Sequence, residues 1–188
     1  IEGAAMFQPF EDTIKISTDQ IKKTYLDTDD KKQGDSSFAM ITDKGAFHLY
    51  YRPVTPVDAT KYNCLEFDIY VSKADVFAFG SNQLELTSSG NMDVNEMSWS
   101  LASLALDEGW NHVQLSFERA NFTVDWKYER DIDLSAINYM RFYLIGAELY
   151  KGTDVLIKLD NMQFTNNGLP PLEDQTYETV NDTGLDIY

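Results

Sequence analysis

The sequence predicts an all-β protein, a jelly-roll β-sandwich of two antiparallel sheets. Apolar residues recur at every second position in several short runs, which is the period of a strand with one buried face. In residues 65–71, for example, apolar side chains alternate with two acids and a tyrosine. Turn residues separate these runs at short intervals, and about nine short strands arranged in this way are typical of a sandwich or jelly roll.

The predicted strands follow one another along most of the chain, with glycine, asparagine or aspartate in the turns between them. They are residues 38–42, 47–51, 65–71, 76–87, 96–101, 112–117, 138–145 and 155–164. Helix signals are weak: residues 18–23 are predicted to form one or two helical turns, and residues 133–137 a short helix or 3₁₀ turn. Both are shorter than the roughly 11 residues of an average globular helix, so no helical layer is expected.

The chain is expected to form one domain, residues 1–166, followed by a tail, residues 167–188. Residues 172–188 carry five acids and no base, which is typical of an acidic linker toward another module. The alternative is that the tail packs back along the sandwich through its apolar side chains, Tyr177, Val180, Leu185 and Tyr188. Because the chain begins Ile-Glu-Gly rather than with Met, we expect it to be cut from a larger protein.

Composition argues against several classes of function. A formal net charge of -16 repels nucleic-acid phosphates and anionic lipid heads, so neither is an expected partner. No run of about 18 apolar residues exists, so no membrane insertion is expected. The single cysteine excludes an internal disulfide and a cysteine-rich zinc site. Cys64 stands beside a core-facing leucine and is expected to be a buried, inert thiol.

Four segments carry a resemblance to a known family, in the right order and spacing. They are Pro9–Asp12, Gln33–Met40, the Gly-Trp segment Glu108–Phe117, and Ile157–Met162 with its internal aspartate. Together they resemble bacterial carbohydrate-binding modules of the galactose-binding-domain-like jelly-roll type, over residues 7–165. The resemblance implies a secreted or cell-surface module, monomeric within a larger multi-module protein, that binds polysaccharide without catalysis.

Modules of this family commonly carry a structural calcium ion. The resemblance implies that Glu11 or Asp12, Asp160 and the backbone carbonyls of residues 34–36 would hold it, and calcium prefers such hard oxygen ligands. The alternative is that these are ordinary surface acids. The acids of residues 27–35 are a second, weaker candidate, because they lack the spacing of an EF-hand loop.

A sugar site needs flat rings against the C–H faces of the sugar and planar polar groups for its hydroxyls. Trp126 and Tyr128 lie in a polar segment between strands and are the leading candidates for stacking. A second group is predicted on or beside strands: Tyr143, Arg141, Tyr70, Asp68, His48, Trp99, Asn82 and Gln83.

The strands 47–52, 65–71 and 139–144 are expected to present their polar and aromatic sides on one sheet surface. On that surface Arg141 would pair with Asp68 or Glu66. The alternative is a solvated sheet side with a surface ion pair of little energetic value. Alternation also favours the core for Trp99, and the match to the family's Gly-Trp segment does so for Trp110.

The expected ligand is a neutral glucan, because the net charge of -16 disfavours acidic polymers. Similarity to acidic modules of starch-binding surface systems in gut bacteria favours α-glucan (starch) over the alternatives, β-glucan or xylan. A module that binds protein or cell wall is the alternative, since one fold serves many functions. A glycoside hydrolase is less favoured: residues 65–71 resemble the Glu-x-Asp-x-x-Glu strand of jelly-roll β-glucanases, but Tyr70 and Val71 supply no second catalytic acid.

Overall fold

The computed structural model describes residues 16–53, 55–123 and 131–169, which form two antiparallel sheets packed face to face. The strands of these residues are β1 (Ile16–Asp19), β2 (Lys23–Asp27), β3 (Ser37–Lys44), β4 (Phe47–Tyr51), β5 (Cys64–Val71), β6 (Ser81–Thr87), β7 (Glu96–Ser100), β8 (Gly109–Ser116), β9 (Asn121–Thr123), β10 (Tyr139–Ile145) and β11 (Lys151–Thr165). The front sheet has the order β1-β4-β10-β6-β7-β9, and the back sheet the order β2-β3-β11-β5-β8. The predicted all-β jelly-roll sandwich is confirmed.

The helical turns predicted for residues 18–23 are wrong. The segment contains the end of β1 and the start of β2, and Gln20 between them adopts a left-handed conformation with φ 59°. Each short strand pairs with a different sheet, β1 with β4 and β2 with β3. Pairing with a neighbouring strand therefore outweighs the weak local preference for a helix.

Two other segments differ in detail or agree with the prediction. The single strand expected over residues 76–87 is a 3₁₀ turn, Val76–Ala78, followed by β6. Gly80, with φ 70°, separates the two. The 3₁₀ turn expected within residues 133–137 is confirmed at Leu134–Ala136, where the carboxylate of Asp133 accepts the N–H of Ser135.

Alternating apolar side chains from both sheets fill the core. Phe47 of β4 and Phe142 of β10 stack at 5.6 Å, and Phe77 meets both rings edge-on. Trp99 is 4% exposed and donates its indole N–H to the carbonyl of Ser116, so the core position favoured by alternation is confirmed. Burial of these rings removes apolar area from water, and each Å² removed stabilises the folded state by about 25 cal/mol.

Of two further residues expected in the core, Cys64 and Trp110, only Cys64 lies there. Cys64 is fully buried as expected, and burial raises the pKa of its thiol to about 11. The core position expected for Trp110 is wrong, because the ring is half-buried on the outer side of the back sheet. It pairs in register with Tyr70, and its indole N–H binds Asp30 at 2.9 Å. Alternation along β8 turns Val113 inward and Trp110 outward.

The last described residues lie against the sandwich. The N–H of Gly168 binds the side chain of Asn63, and the N–H of Leu169 binds the hydroxyl of Ser116. Residues 170–188 lie outside the described residues, so the division into domain and acidic tail stays a prediction. Within the described ranges, no helix is long and apolar enough to cross a membrane.

Candidate functional site

The outer side of the front sheet carries a cluster of aromatic and charged side chains, which we call the aromatic face. Along β4 and β10 the apolar side chains point inward, so alternate positions point away from the core. In register, His48 lies opposite Tyr143 and Tyr50 opposite Arg141. The aromatic face comprises these side chains and one more tyrosine: His48, Tyr50, Tyr139, Arg141 and Tyr143.

The rings of the aromatic face are close enough to form one surface. The centroid of His48 lies 5.9 Å from that of Tyr50 and 5.8 Å from that of Tyr143. Tyr139 continues the cluster at 6.4 Å from Tyr50. The first three rings are half-buried and Tyr139 is fully buried, so packing holds them in place.

The protonation states of this face suit hydrogen bonding to hydroxyl groups. Burial raises the pKa of Tyr139 and of Tyr143 to about 12, so both phenols remain protonated donors at neutral pH. Burial, with the nearby charge of Arg141, lowers the pKa of His48 and favours its neutral form. The Tyr139 hydroxyl and Nδ1 of His48 are buried atoms with no hydrogen-bond partner among the described residues, so the partly exposed phenols of Tyr50 and Tyr143 are the ones that face a ligand.

Arg141 is fixed in the middle of the aromatic face. Its Nε and Nη2 each donate to a different carboxylate oxygen of Glu85 at 2.7 Å, and its guanidinium lies 4.5 Å from the ring centroid of Tyr143. Burial would lower the pKa of Arg141, but Glu85 outweighs that effect and raises it. The expected pairing of Arg141 with Asp68 or Glu66 is wrong, because β5 belongs to the back sheet.

Two further acids, Asp93 and Glu96, lie beside this ion pair. Glu85 and Glu96 are buried on neighbouring strands, and the N–H of Asp93 binds the Glu96 carboxyl at 2.8 Å. Burial, then the charge of Glu85, raises the pKa of Glu96 to about 8, so Glu96 is a neutral acid at pH 7. Carboxylate oxygens of the three acids lie within 4.8 Å of one another, but Arg141 already occupies both oxygens of Glu85. The guanidinium therefore already supplies the positive charge beside the Glu85 carboxylate.

The spacing of these acids also differs from that of a glycosidase. The carboxyl groups of Glu85 and Glu96 share a hydrogen bond. A retaining glycosidase holds its two carboxyl groups about 5–5.5 Å apart, and an inverting one holds them farther apart. The pair therefore does not match either arrangement.

Two predicted binding residues lie on the opposite side of the molecule. Tyr70 and Asp68 point outward from β5, in the back sheet, so they cannot join Tyr143 on one surface. Asp68 binds Nδ1 of His112 at 2.8 Å and the side chain of Asn161 at 3.2 Å. The expected common surface of the three strands is therefore wrong, because two of the strands lie in one sheet and the third in the other.

The remaining predicted residues within the described ranges are partly on the outer side of the front sheet and partly buried. Gln83 lies on the outer side of the front sheet opposite Tyr143. Asn82 is buried and donates to the carbonyl of Phe77, because alternation along β6 turns it inward. Trp99 is almost fully buried, and only its small exposed part borders a cleft beside β7. Trp126 and Tyr128 lie outside the described residues, and their role stays a prediction.

The sequence prediction missed two residues of the site, Glu85 and Glu96, whereas Tyr50 and Tyr139 belong to the polar and aromatic strand sides that it expected over residues 47–52 and 139–144. A signal for one of them exists, since Glu85 stands between two leucines and alternation turns it away from the core. The alternation does not reveal that Arg141, 56 residues away, is its partner.

The predicted calcium ligand Asp160 is already hydrogen-bonded. Its Oδ2 accepts the N–H groups of Lys32 at 2.6 Å and Gln33 at 2.8 Å, and its Oδ1 accepts that of Asn161 at 2.8 Å. Two accepted bonds use both lone pairs of Oδ2, so Oδ1 keeps one for a cation. Residues 11 and 12, Glu and Asp, lie outside the described residues. A calcium ion held partly by Asp160 stays a prediction.

In the second candidate calcium site, the acids of residues 27–35, a lysine side chain already binds two of the acids. The ammonium group of Lys158 binds Asp27 at 2.9 Å and Asp30 at 2.7 Å. The hydrogen bond from Lys158, with those from backbone N–H groups of this loop, lowers the pKa of Asp27 to about 2. The lysine thus neutralises the two acids that a calcium ion would use.

Comparison with known proteins identifies the fold. No family model and no curated protein sequence matches this chain. A family 11 carbohydrate-binding module from Clostridium thermocellum, solved in complex with a β-1,3-1,4-mixed-linked tetrasaccharide, aligns with a TM-score of 0.59 and 14% identity over 89% of this chain and 98% of that one. A family 30 module of a cellulosomal cellulase from the same organism aligns with a TM-score of 0.58 and 12% identity, over 81% of this chain and 91% of that one.

An enzyme also contains this fold. An exo-β-agarase aligns with a TM-score of 0.57 and 16% identity, over 91% of this chain but 26% of the agarase. At such identities the similarity establishes the fold alone. The chain is a jelly-roll β-sandwich of the kind found in carbohydrate-binding modules.

Proposed function

We propose that this protein binds a neutral glucan on its aromatic face and does not cleave it. The observation that carries the proposal is the cluster of His48, Tyr50 and Tyr143, whose rings lie about 6 Å apart around an immobile Arg141. Half-buried rings offer their faces to the C–H surfaces of sugars, and the guanidinium and the phenols of Tyr50 and Tyr143 donate to hydroxyl groups. Because packing and the ion pair with Glu85 hold these groups in place, little ordering cost is expected on binding.

Charge supports a neutral ligand. The one guanidinium of the cluster is already paired with Glu85, and Asp93 lies nearby at 3.8 Å from it. An acidic polysaccharide would meet these acids and a chain of net charge -16. We therefore propose a neutral glucan in a secreted or cell-surface setting, where such polymers are encountered.

The linkage of the glucan is a finer proposal. The similarity of fold to a module solved with a mixed-linked β-glucan tetrasaccharide supports a β-linked chain as the first ligand to test. The α-glucan favoured by the sequence has no comparable support, and stays a prediction to be tested beside it.

Affinity electrophoresis in gels that contain mixed-linkage β-glucan, starch or xylan tests the proposal. We expect the protein to be retarded in a glucan gel, and Tyr143→Ala to weaken the interaction about five- to thirtyfold, since a stacking ring at the centre of a site contributes about 1–2 kcal/mol. Tyr70→Ala is the matched control, because this half-buried tyrosine lies on the back sheet. Trp126→Ala tests the leading sequence candidate in the same gels.

Each outcome assigns the site or removes it. Loss of retardation in Tyr70→Ala alone would move the site to the back sheet, and loss in Trp126→Ala alone would move it to residues 124–130. No retardation of the unmodified protein in any gel would overturn the glucan proposal and favour a protein-binding module. Release of reducing sugar from any of these polymers would overturn the proposal of binding without cleavage.

A further inference from the structure

The strand register continues the aromatic face toward the far side of the front sheet. His48 lies opposite Tyr143, Tyr143 opposite Gln83, and Gln83 opposite Ser100. All four side chains belong to the outer side of the sheet and form a row that crosses the strands. With neighbouring strands about 4.8 Å apart, the row is about 14 Å long and reaches β7.

The row ends at an open cleft of about 420 Å³, which we call the edge cleft. It lies where the β7 and β9 side of the front sheet meets β8 of the back sheet, and Ser100 forms part of its wall. Its volume is in the range of sites that hold small ligands, about 300–1,000 Å³. The aromatic face therefore leads directly into a concave site.

The walls of the edge cleft carry the chemistry of a sugar site. Exposed Gln114, Arg119 and Asn121 line it with planar amide and guanidinium groups, and Leu104 gives it an apolar wall. Asn121 also lies in register with Ser98, on the same outer side as the row. Planar donors beside an apolar wall are the groups that orient a sugar through its hydroxyls and C–H surface.

We propose that the edge cleft binds further sugar units of the same glucan chain, after the chain has crossed the front sheet and passed Ser100. The inference rests on the proposed function, because the aromatic face supplies the first part of the path. It assigns a second part of the site to residues of β7, β8 and β9, and it makes the protein prefer long chains to short ones. Arg119 and Asn121 hydrogen-bond the sugar units that a short oligosaccharide does not reach.

Calorimetric titration with a tetrasaccharide and an octasaccharide of mixed-linkage β-glucan tests the inference. The unmodified protein is expected to bind the octasaccharide about tenfold more tightly, since one or two added hydrogen-bonded sugar units supply about 1.4 kcal/mol. In the double variant Arg119→Ala, Asn121→Ala, the octasaccharide is expected to bind no more tightly than the tetrasaccharide. Asn91→Ala, in an exposed loop outside the cleft, is the control and should keep the advantage.

The outcomes separate the two proposals. If both oligosaccharides bind but the octasaccharide has no advantage, or the double variant keeps that advantage, the edge cleft is not part of the site. If neither oligosaccharide nor the corresponding α-glucan series binds, the proposed function itself fails. Unfolding midpoints of the variants, measured without sugar, show whether a lost advantage comes from a lost fold.

Discussion

Arg141 and Glu85 form a two-bond ion pair across neighbouring strands, with both N–O distances at 2.7 Å and the carboxylate only 1% exposed. The pair lies on the outer side of the sheet, where the carboxylate is shielded from water and the arginine side chain is 11% exposed. Taking two charges out of water is costly, and their mutual attraction offsets that cost only while both are present. The stability of the folded protein should therefore depend strongly on keeping both residues of the ion pair.

Removing one partner should destabilise the protein strongly. We expect Arg141→Ala to lower the free energy of unfolding by about 3–5 kcal/mol, because it leaves the buried carboxyl of Glu85 without the cation that offsets its desolvation. The double variant Glu85→Gln, Arg141→Met should recover most of this loss, since no uncompensated charge remains. Urea denaturation measures both values. Equal destabilisation in the single and double variants would show that packing, rather than charge, dominates.

The Glu96 carboxyl should make stability depend on pH. Its ordinary pKa of 4.5 applies to the unfolded chain, and the folded value is about 8. Between these values the folded protein binds more protons than the unfolded chain, so stability falls as pH rises from about 4.5 to 8 and then levels off. Glu96→Gln should remove this part of the slope. Denaturation at a series of pH values checks it, and an unaltered slope in the variant would rule out Glu96 as the cause.

His112 should add a second dependence at higher pH. Its two ring nitrogens lie 2.7 Å from Glu66 and 2.8 Å from Asp68, and both must carry protons to donate. Burial would lower the pKa of His112, but the bonds to Asp68 and Glu66 raise it above its ordinary value of 6.5. This stabilisation is therefore complete below about pH 6.5 and is lost as pH rises through the folded pKa.

His112→Gln tests this assignment against that of Glu96. The variant should make the decline of stability above pH 6.5 shallower, leaving the part due to Glu96, and should not change the decline between pH 4.5 and 6.5. The half-exposed imidazole limits the effect to roughly 1 kcal/mol or less. A nuclear magnetic resonance titration of the ring should give a midpoint above 6.5 in the folded protein. A midpoint below that value would contradict the bridging role.

Two glycines with similar backbone angles should respond differently to substitution. A Cβ at Gly80, with φ 70°, would lie 2.0 Å from the carbonyl oxygen of Ile145, while one at Gly152, with φ 85°, would meet no atom within 4 Å. Both alanine variants bear the cost of a left-handed residue, about 1–2 kcal/mol. Gly80→Ala should lose about 1–3 kcal/mol more, because the turn must move away from β10. Thermal unfolding of the two variants side by side gives the difference, and equal losses would contradict the close contact.

Calcium can be distinguished from the hydrogen bonds of Asp160. If the ion is bound, a chelator should lower the unfolding midpoint of the unmodified protein, and added calcium should restore it. Asp160→Asn should lower the midpoint even in chelator, because the carboxylate also accepts three backbone N–H groups. A midpoint that does not respond to chelator would remove the calcium ion and leave Asp160 with its structural role.

Much of the fold could be predicted because alternation is a local property of the chain. The runs around Phe47 and Phe142 show which side chains enter the core, and both rings are fully buried. The strands that were missed, β1, β2 and β9, are three to five residues long. Three or four residues, as in β9 and β1, are too few to show a period, and the mostly exposed β2 has no buried face to reveal it. Long-range pairing rather than local preference makes these segments strands.

The candidate site, like the fold, could be predicted from the sequence only in part. The sequence by itself determined that His48, Arg141 and Tyr143 point away from the core, since successive side chains of a strand face opposite sides. Only the tertiary structure decided that β4, β10 and β6 are neighbours and that β5 lies in the other sheet. The order of strands in a sheet depends on which segments, far apart in the sequence, become neighbours when the two sheets pack around one core. No local sequence pattern specifies that order. That order brings Arg141 to Glu85 and separates both from Asp68.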